Sequence, residues 1–299
     1  MSTALTILIV NFNSGAYLDG CLQSIVGHAP EAGVLVIDNA SKDGSERAAD
    51  AYPNQVRLHR NLENVGFARA VNRALTLTSG EEVLLLNPDC RLLAGAAETL
   101  SRELALHPEC AVVGPQILDE DGGVQGSARG DPTLLTGLFG RSSLLTTYFP
   151  SSRFARRNIR TGTVGPGGEA SVEVDWVSGA CMLMRRQDLN AVGGFDERFF
   201  LYWEDADLCR RMRQRRYTVR YAPTARVIHR VGGSSRTARP LAIRAFHRSA
   251  YTYYSSHVAR TPVQRTLARL ILEARCQWKL MSSRLRHDRP TTVDRASRR

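Results

Sequence analysis

The stretch that decides the fold is a short apolar run near the N-terminus, Thr6-Ile7-Leu8-Ile9-Val10. Its side chains do not alternate between apolar and polar, which predicts a strand buried on both faces, as in a parallel sheet. Similar runs follow at residues 34–37 and 83–86, and segments with helical spacing separate them. This alternation, with short connections, predicts an α/β fold with a mainly parallel central sheet and helices on both of its faces.

The remaining elements extend this pattern along the chain. Helical spacing of apolar residues predicts helices at residues 17–26, 64–78 and 92–107. Further strands are predicted at residues 56–59, 111–113, 172–177, 180–185, 217–221 and 225–229. Residues 119–170 are rich in glycine and turn signals, and we interpret this long irregular segment as a flexible loop that covers a binding site.

Polar side chains follow the buried runs at the points where the strands end. In an α/β sheet, ligands bind at the carboxyl ends of the strands. A lone aspartate there is more often a helix cap than a ligand, but Asp38 and Asp89 hold corresponding positions on separate strands, which favours binding. The first strand–helix turn has no G-x-G-x-x-G, so dinucleotide binding is weakly supported, and a P-loop motif is absent from the sequence.

A second informative stretch, residues 193–211, places five carboxylates among five aromatic residues. Burial against aromatic side chains disfavours the charged form of a carboxyl group, and this cost is tolerated more often at reaction sites than in an ordinary core. The alternative is structural, with Glu204, Asp205 and Asp207 capping and solvating the N-terminus of a helix.

The amino-acid composition limits the classes of protein to which the chain can belong. The 299 residues are 43% hydrophobic and 23% charged, as in folded soluble proteins. The six cysteines are scattered without a C-x-x-C pair, which argues against a zinc site or a disulfide framework and favours a reducing compartment. The sequence predicts neither a secretory signal nor a membrane-spanning helix, and we expect a cytoplasmic protein that is peripherally associated with the inner face of the cell membrane.

The net charge of +11 is concentrated at the C-terminal end. From Arg236 onward there are 15 Lys+Arg and 3 Asp+Glu, so the rest of the chain is nearly neutral. Helices are predicted at residues 237–256 and 262–286, and the second is basic and amphipathic with Trp278 on its apolar side. Such a helix is typical of an anionic membrane surface, although docking on the domain with a solvated basic face is the alternative. We do not expect a nucleic-acid partner, because the tail has no recognised nucleic-acid motif.

Seven motifs, taken in order, resemble those of the inverting family 2 glycosyltransferases of GT-A fold, and most of all the bacterial rhamnosyltransferase branch. That branch includes the enzyme that adds L-rhamnose to N-acetylglucosaminyl-diphospho-polyprenol. The resemblance covers residues 5–235 and rests on Val10-Asn11-Phe12-Asn13, Asp38-Asn39-Ala40-Ser41-Lys42-Asp43-Gly44-Ser45, Asn64-Val65-Gly66-Phe67-Ala68, Asn87-Pro88-Asp89, Trp176-Val177-Ser178-Gly179-Ala180, residues 193–211 and Val227-Ile228-His229-Arg230-Val231-Gly232-Gly233-Ser234.

The resemblance implies three domains or segments and a set of site residues. Residues 1–235 would form the GT-A catalytic domain, with a nucleotide-binding half at 1–117, the flexible loop at 119–170 and an acceptor half at 171–235. Residues 236–288 would be a basic helical extension, and residues 289–299 a disordered tail. The implied contacts to the nucleotide sugar are Asn11, Asn13, Asp38, Asn39, Gly66, Phe67, Asn87 and Asp89.

The same resemblance implies a metal-dependent reaction. Asn87-Pro88-Asp89 stands where the family has its D-x-D metal motif, with Asn at the first position, so Asp89 is the implied Mg²⁺ or Mn²⁺ ligand and His229 completes the site. A metal stabilises the departing diphosphate, and N–H groups at the helix N-terminus near Gly66 and Phe67 would contact a phosphate. Asp205 is the implied general base, and the acceptor would contact Trp176, Trp203 and Glu204.

The implied donor is dTDP-L-rhamnose, and the implied acceptor is a lipid-linked saccharide used in cell-wall or surface-polysaccharide synthesis. Two alternatives stay open. One is a family 2 glycosyltransferase with another nucleotide sugar. The other is a non-catalytic nucleotide-sugar-binding module at the membrane surface, which the basic tail alone supports.

Overall fold

A computed structural model of the chain describes residues 4–132, 170–230 and 239–287. The described part contains a nine-stranded sheet in the order β3-β2-β1-β4-β10-β6-β11-β5, with β8 paired to β11, and a separate pair formed by β7 and β9. The strands are β1 Leu5–Asn11, β2 Gly33–Asp38, β3 Val56–Arg60, β4 Glu82–Leu86, β5 Cys90–Leu92, β6 Cys110–Leu118, β7 Ala128–Arg129, β8 Val172–Glu173, β9 Trp176–Val177, β10 Cys181–Arg185 and β11 Thr218–His229.

Helices cover both faces of this sheet, as predicted. They are α1 Tyr17–His28, α2 Phe67–Thr76, α3 Ala96–Leu106, α4 Arg186–Ala191, α5 Glu204–Gln214, α6 Arg239–His257 and α7 Pro262–His287, with a short 3-10 helix at Ser45–Ala51. Alternate residues of β1 enter different cores: Ile7 and Ile9 pack on one face, and Leu8 and Val10 on the other. The uninterrupted apolar run therefore does mark a strand buried on both faces.

The register of the strands brings the polar strand ends together. β1 lies between β2 and β4 and is parallel to both, so Asn11 stands opposite Asp38. β10 enters antiparallel between β4 and β6. At the edge, β5 pairs antiparallel with β11, which places Cys90 opposite His229. The Asn87-Pro88-Asp89 segment thus connects the central β4 with the edge strand β5.

Three of the predictions need correction, and one helix was missed. The helix predicted at residues 92–107 begins only at Ala96, because residues 90–92 form the edge strand β5, whose Cys90 and Leu92 pack into the core against β11. Residues 172–177 form two short strands in different sheets rather than one strand. The two strands predicted at 217–229 are one strand with an irregularity between Ala222 and Arg226. The helix α4 was not predicted.

The C-terminal helices α6 and α7 pack against each other, and α6 also contacts the domain. Among the described residues, no helix has the length and apolar character needed to cross a membrane. Most of the loop predicted at 119–170 and the tail predicted at 289–299 lie outside the described residues, as do the motif residues 231–234.

Candidate active site

The ends of β1 and β2 are joined by a network of polar side chains. Asn11 is completely buried, and its amide donates to Asp38 Oδ1 at 2.8 Å and to Ser45 Oγ at 2.9 Å. Ser41 donates from both its backbone N–H and its hydroxyl to the Asp38 carboxylate. Asn13 accepts from the backbone of Lys42. The predicted nucleotide residues Asn11, Asn13 and Asp38 are thus brought together, with Asn11 acting as the internal brace of the other groups.

Asn39 connects this network to the N-terminus of α2. Its side chain accepts from Asn61 and donates to the carbonyl of Gly66. The N–H of Phe67 donates to the carbonyl of Phe200 at 2.6 Å, and the N–H of Gly66 donates to Asn64 Oδ1 at 3.0 Å. Both N–H groups that we expected to face a phosphate are therefore already satisfied within the chain. The helix N-terminus is held by the 193–211 stretch instead.

Asp89 and His229 lie together at the β5–β11 edge. His229 Nε2 is 3.4 Å from Asp89 Oδ1, and the Asp89 residue is 8% exposed. Asp89 Oδ1 has no hydrogen-bond partner in the described structure, which is costly for a buried carboxylate oxygen. Cys90 is the third potential donor, since donor atoms of all three residues lie within 4.8 Å of one another. Burial raises the pKa of the Cys90 thiol well above its ordinary value, and its Sγ contacts the carbonyl of Ala180.

Gln125 determines which nitrogen of His229 faces Asp89. The amide nitrogen of Gln125 donates to Asp119 Oδ1 at 2.8 Å and to the carbonyl of His229 at 2.7 Å, so its Oε1 is the atom directed to His229 Nδ1, 3.0 Å away. An amide oxygen only accepts, so Nδ1 carries the hydrogen, and in the neutral imidazole Nε2 presents a lone pair to Asp89. Two acceptor atoms 3.4 Å apart fit a cation between them, and a carboxylate with an imidazole suits Mn²⁺ or Mg²⁺.

A cleft opens beside this pair of residues. It is lined by Tyr17, Asp89, Arg91, Glu120 and Arg230, among others. The Arg230 guanidinium lies 5.3 Å from the centre of the Tyr17 ring and pairs with Glu120 at 3.0 Å. Two guanidinium groups next to a candidate metal site suit an anionic ligand such as a diphosphate. Sequence reasoning missed Gln125, Tyr17 and Arg91, because none of them belongs to a recognised motif. Arg230 lies in the motif around His229, but the sequence assigned it no role.

Asp205 occupies the first turn of α5. Its Oδ2 accepts from the N–H of Gly179 at 2.9 Å, and its Oδ1 accepts from the N–H of Ala206 at 2.8 Å. A Cβ at position 179 would lie 3.3 Å from Asp205 Cβ, so the glycine permits this close approach. Asp205 is half-buried, which keeps its carboxylate accessible to a substrate.

Glu204 differs sharply from its neighbour. It is 6% exposed, and its Oε2 has no hydrogen-bond partner in the described part of the chain. Burial, reinforced by the charge of Asp205, raises the pKa of Glu204 well above its ordinary value. Adjacent carboxyl groups are thus placed in different environments, and the buried one retains its proton more readily. The role of Glu204 in acceptor binding stays a prediction.

The two predicted acceptor tryptophans lie in one aromatic cluster. Trp176 and Trp203 both pack against Phe199, Ala206 and Tyr253. Trp176 donates from Nε1 to the carbonyl of Gly130, and the guanidinium of Arg129 stacks 5.2 Å above its ring. The cluster is partly exposed beside Asp205, so it offers flat apolar surface for a sugar ring.

Asp207 is 1% exposed and braces the helix, as predicted for this residue. Its Oδ2 accepts from Arg211 Nε at 2.7 Å, and its Oδ1 lies 2.6 Å from Nε2 of His257 in α6. The contact with α6 could not be read from the sequence, since His257 has no recognisable motif around it.

Comparisons with known proteins agree with this geometry. Residues 6–193 match the model of glycosyl transferase family 2. The chain is 32% identical over 283 residues to N-acetylglucosaminyl-diphospho-decaprenol L-rhamnosyltransferase of Mycobacterium tuberculosis (strain ATCC 25618 / H37Rv), covering 89% of this chain and 90% of the relative. It is also 36% identical over 80 residues to rhamnosyltransferase WbbL of Escherichia coli (strain K12), covering 27% of this chain and 30% of WbbL.

Solved structures share the fold at low identity. The mannosyltransferase PcManGT of Pyrobaculum calidifontis, in complex with GDP-Man and Mn²⁺, superposes with a TM-score of 0.56 at 16% identity, covering 92% of this chain and 74% of that one. GalNAc-T7 with UDP, GalNAc and Mn²⁺ gives a TM-score of 0.58 at 15% identity, and this chain spans 90% of its own length and 54% of that chain. The predicted GT-A fold is confirmed. On the family match and the 32% identity over nearly its whole length, the chain belongs to glycosyl transferase family 2.

Proposed function

We propose that this glycosyltransferase moves L-rhamnose from dTDP-L-rhamnose to a polyprenyl-diphosphate-linked saccharide, with inversion at the transferred carbon, in cell-wall or surface-polysaccharide synthesis. The single observation that supports the sugar and the acceptor is the 32% identity to a decaprenol-linked L-rhamnosyltransferase over 89% of the chain. The dTDP part of the donor rests on the resemblance of the motifs alone.

The arrangement of side chains supports the proposed chemistry. Asp89 and the Nε2 lone pair of His229 would hold Mg²⁺ or Mn²⁺, which when bound offsets the charge of the leaving diphosphate. Arg91 and Arg230 in the adjoining cleft add positive charge on the same side. The Asp38 network, already held by Asn11 and Ser41, would contact the base or ribose of the nucleotide, and Asn87 the sugar or ribose.

Asp205 is the proposed general base. A carboxylate fixed by two backbone N–H groups keeps a constant orientation, and it would accept the proton of the incoming acceptor hydroxyl as that oxygen attacks the sugar. Attack from the face opposite to the leaving diphosphate gives inversion. Trp176, Trp203 and Glu204 are the proposed acceptor-side residues.

The Asp205→Asn variant tests this assignment. We expect a loss of several orders of magnitude in turnover with the affinity for dTDP unchanged, measured by dTDP release and by calorimetry. Asp196→Asn is the matched control, because Asp196 lies in the same stretch but pairs with Arg198. Full activity of Asp205→Asn would refute the base. A wild type that binds dTDP but releases none from dTDP-L-rhamnose would favour the non-catalytic binding module.

The donor is tested separately. Calorimetry of the wild type with a panel of nucleotide sugars, in the presence of Mg²⁺ or Mn²⁺, should show preferred binding of dTDP-L-rhamnose. If a different nucleotide sugar binds more tightly and is turned over, the assignment of the donor is wrong, although the protein would still be a glycosyltransferase.

We also propose that α7 lies on an anionic membrane surface, which would place the enzyme on the inner face of the cell membrane beside its lipid-linked acceptor. The large apolar side chains that α7 leaves exposed recur at helical spacing: Val263, Leu267, Leu270, Ile271, Trp278 and Met281. Arginine and lysine side chains occupy much of the rest of this helix. Apolar and basic side chains together are what an interfacial helix needs.

A further inference from the structure

The segment that leads into Asp205 has an unfavourable backbone conformation. Tyr202 and Trp203 are consecutive non-glycine residues with φ of +69° and +71°, a region that bulky side chains rarely adopt. Such a conformation persists only where the surrounding structure holds it, and it is often found next to functional groups. Asp205 follows two residues later, so whatever holds Trp203 also sets the position of the proposed base.

The element that holds this segment is α6. Ser249 donates from Oγ to the carbonyl of Leu201 at 2.9 Å. The Tyr253 ring lies 5.2 Å from the Trp203 ring, and Phe246 contacts the rings of both Tyr202 and Trp203 at 5.9 Å. These contacts come from successive turns of a single helix, which therefore lies along residues 201–203.

The contact between His257 and Asp207 completes this support. His257 is the last residue of α6, and its Nε2 donates to the buried Asp207 Oδ1 at 2.6 Å. Arg210 donates from the same face of α5 to the carbonyl of His257 at 3.1 Å, which satisfies a carbonyl at the end of α6. Both the side chain and the backbone of His257 are thus bound by α5.

Asp207 also connects α5 to the loop at residues 192–194. Its second oxygen accepts from Arg211 Nε, and the same guanidinium donates to the carbonyls of Val192 and Gly194 at 2.9 Å. A buried carboxylate with both oxygens occupied by charged or polar donors allows few alternative orientations. The first turn of α5, which carries Asp205, is consequently fixed from α6 on one side and from residues 192–194 on the other.

We infer that His257 is a positioning residue for glycosyl transfer: through Asp207 it holds the first turn of α5 so that Asp205 faces the acceptor hydroxyl. The inference rests on the proposed role of Asp205. It assigns a catalytic contribution to the C-terminal helices that is independent of membrane binding, since the contact lies on α6 and the apolar face proposed to bind the membrane lies on α7.

The variants His257→Ala and His257→Gln test the inference, with turnover measured on a short-chain, water-soluble acceptor without vesicles. His257→Ala should lower kcat about 30-fold, because displacement of a catalytic group by about 1 Å costs up to 10²-fold, while the affinity for dTDP stays unchanged. Glutamine can donate from a similar position, so His257→Gln should recover most of the turnover. Combined with Asp207→Asn, His257→Ala should cause little additional loss, since the two residues act as one unit.

His247→Ala is the matched control, because His247 is also a buried histidine of α6, but its hydrogen bond within the described residues is to a carbonyl of its own helix rather than to α5. It should lower the melting temperature and leave kcat unchanged. If His257→Ala lowers only the melting temperature, or if His257→Gln is as inactive as His257→Ala, His257 has a merely structural role and the inference is refuted.

Amide hydrogen exchange supplies a readout that does not need a substrate. Peptides covering residues 201–208 should exchange faster in His257→Ala than in the wild type, and His257→Gln should restore protection. Unchanged exchange in these peptides would refute the inference even in an active enzyme. A wild type that transfers no sugar would refute the proposed function instead, and the exchange result would still decide whether His257 holds α5.

Discussion

The side-chain oxygen of Gln125 lies 3.0 Å from Nδ1 of His229, and this contact directs the Nε2 lone pair of the imidazole at Asp89. The two residues are separated by 104 positions in the sequence. Neither Asp119 nor Gln125 would touch the metal, yet together they determine the tautomer that a metal requires. Groups that orient a histidine ligand in this way commonly contribute strongly to metal affinity.

Removing this orienting group should weaken the metal site. We expect Gln125→Ala to lower the affinity for Mn²⁺ about 10- to 100-fold, measured by the electron paramagnetic resonance signal of free Mn²⁺. Gln55→Ala is the control, because the Gln55 amide also donates two hydrogen bonds, in its case to the carbonyls of Ala29 and Ala32, which are not part of the site. His229→Ala should bind Mn²⁺ much more weakly than the wild type. If Gln125→Ala nevertheless keeps the wild-type affinity, the orientation of the His229 ring does not depend on Gln125.

The buried carboxyl of Glu204 should make stability depend on pH. Burial raises the pKa of the Glu204 carboxyl well above its ordinary value, and the charge of Asp205 adds to this shift. The folded chain therefore holds a proton that the unfolded chain has lost, and the free energy of unfolding falls as the pH rises. Glu204→Gln cannot ionise, so its stability relative to the wild type should increase as the pH rises above the ordinary pKa of a glutamate carboxyl, measured by urea unfolding over a pH series.

The exposed Glu63 supplies the comparison for this pH series. Glu63→Gln should show a constant difference from the wild type over the same range, because this side chain is surrounded by water in the folded chain as well as in the unfolded chain. If the curves of Glu204→Gln and the wild type stay parallel, Glu204 ionises normally in the folded chain.

Gly66 is expected to be among the least replaceable glycines. Its φ of +88° and ψ of +169° are accessible to glycine almost alone, and an added Cβ would lie 2.8 Å from the carbonyl oxygen of Phe200. We expect Gly66→Ala to cost about 3 kcal/mol of unfolding free energy, from backbone strain and overpacking together. Gly95→Ala should cost about 1 kcal/mol, since it has a positive φ but open space around it. If chemical denaturation shows the same loss of unfolding free energy in both variants, the contact with Phe200 does not limit position 66.

Membrane binding should depend on the apolar face of α7. We expect Trp278→Ser to reduce binding to phosphatidylglycerol-containing vesicles about 10-fold in a sedimentation assay, because the exposed ring would no longer enter the interface. Leu106→Ser removes an equally exposed apolar residue from α3 and should bind like the wild type. If Trp278→Ser binds the vesicles as well as the wild type, the basic side chains alone account for membrane binding. If the wild type binds DNA in preference to vesicles, the proposal of a membrane partner is wrong.

Local patterns were sufficient for most of the fold. The central strands are recognisable because β1, β2 and β4 are buried on both faces and so have uninterrupted apolar runs. The edge strand β5 was missed because three residues carry too little periodicity, and its pairing with β11 depends on chain far away in sequence. The short strands β8 and β9 were merged for a similar reason, since adjacent residues joined different sheets.

The site was predictable where charged residues end strands, and much less so where side chains orient one another. Asp89 and His229 were placed together correctly by motif resemblance, and the structure brings them within 3.4 Å. Gln125 and His257 were missed, because an amide or imidazole that supports another residue leaves no local signature. The N–H groups of Gly66 and Phe67 were assigned to a phosphate because the sequence does not show that Phe200 and Asn64 already bind them.

The pairing of β5 with the end of β11 has a consequence for biosynthesis. Asp89 is made early, but its partner His229 and the strand that carries it emerge from the ribosome only after most of the chain. A nascent or truncated chain that ends before β11 therefore has a nucleotide-side network without a place for the metal. On the proposed metal site, affinity for a divalent ion would arise only after residue 229 has been made, so metal uptake would report synthesis through β11, the last strand of the described residues.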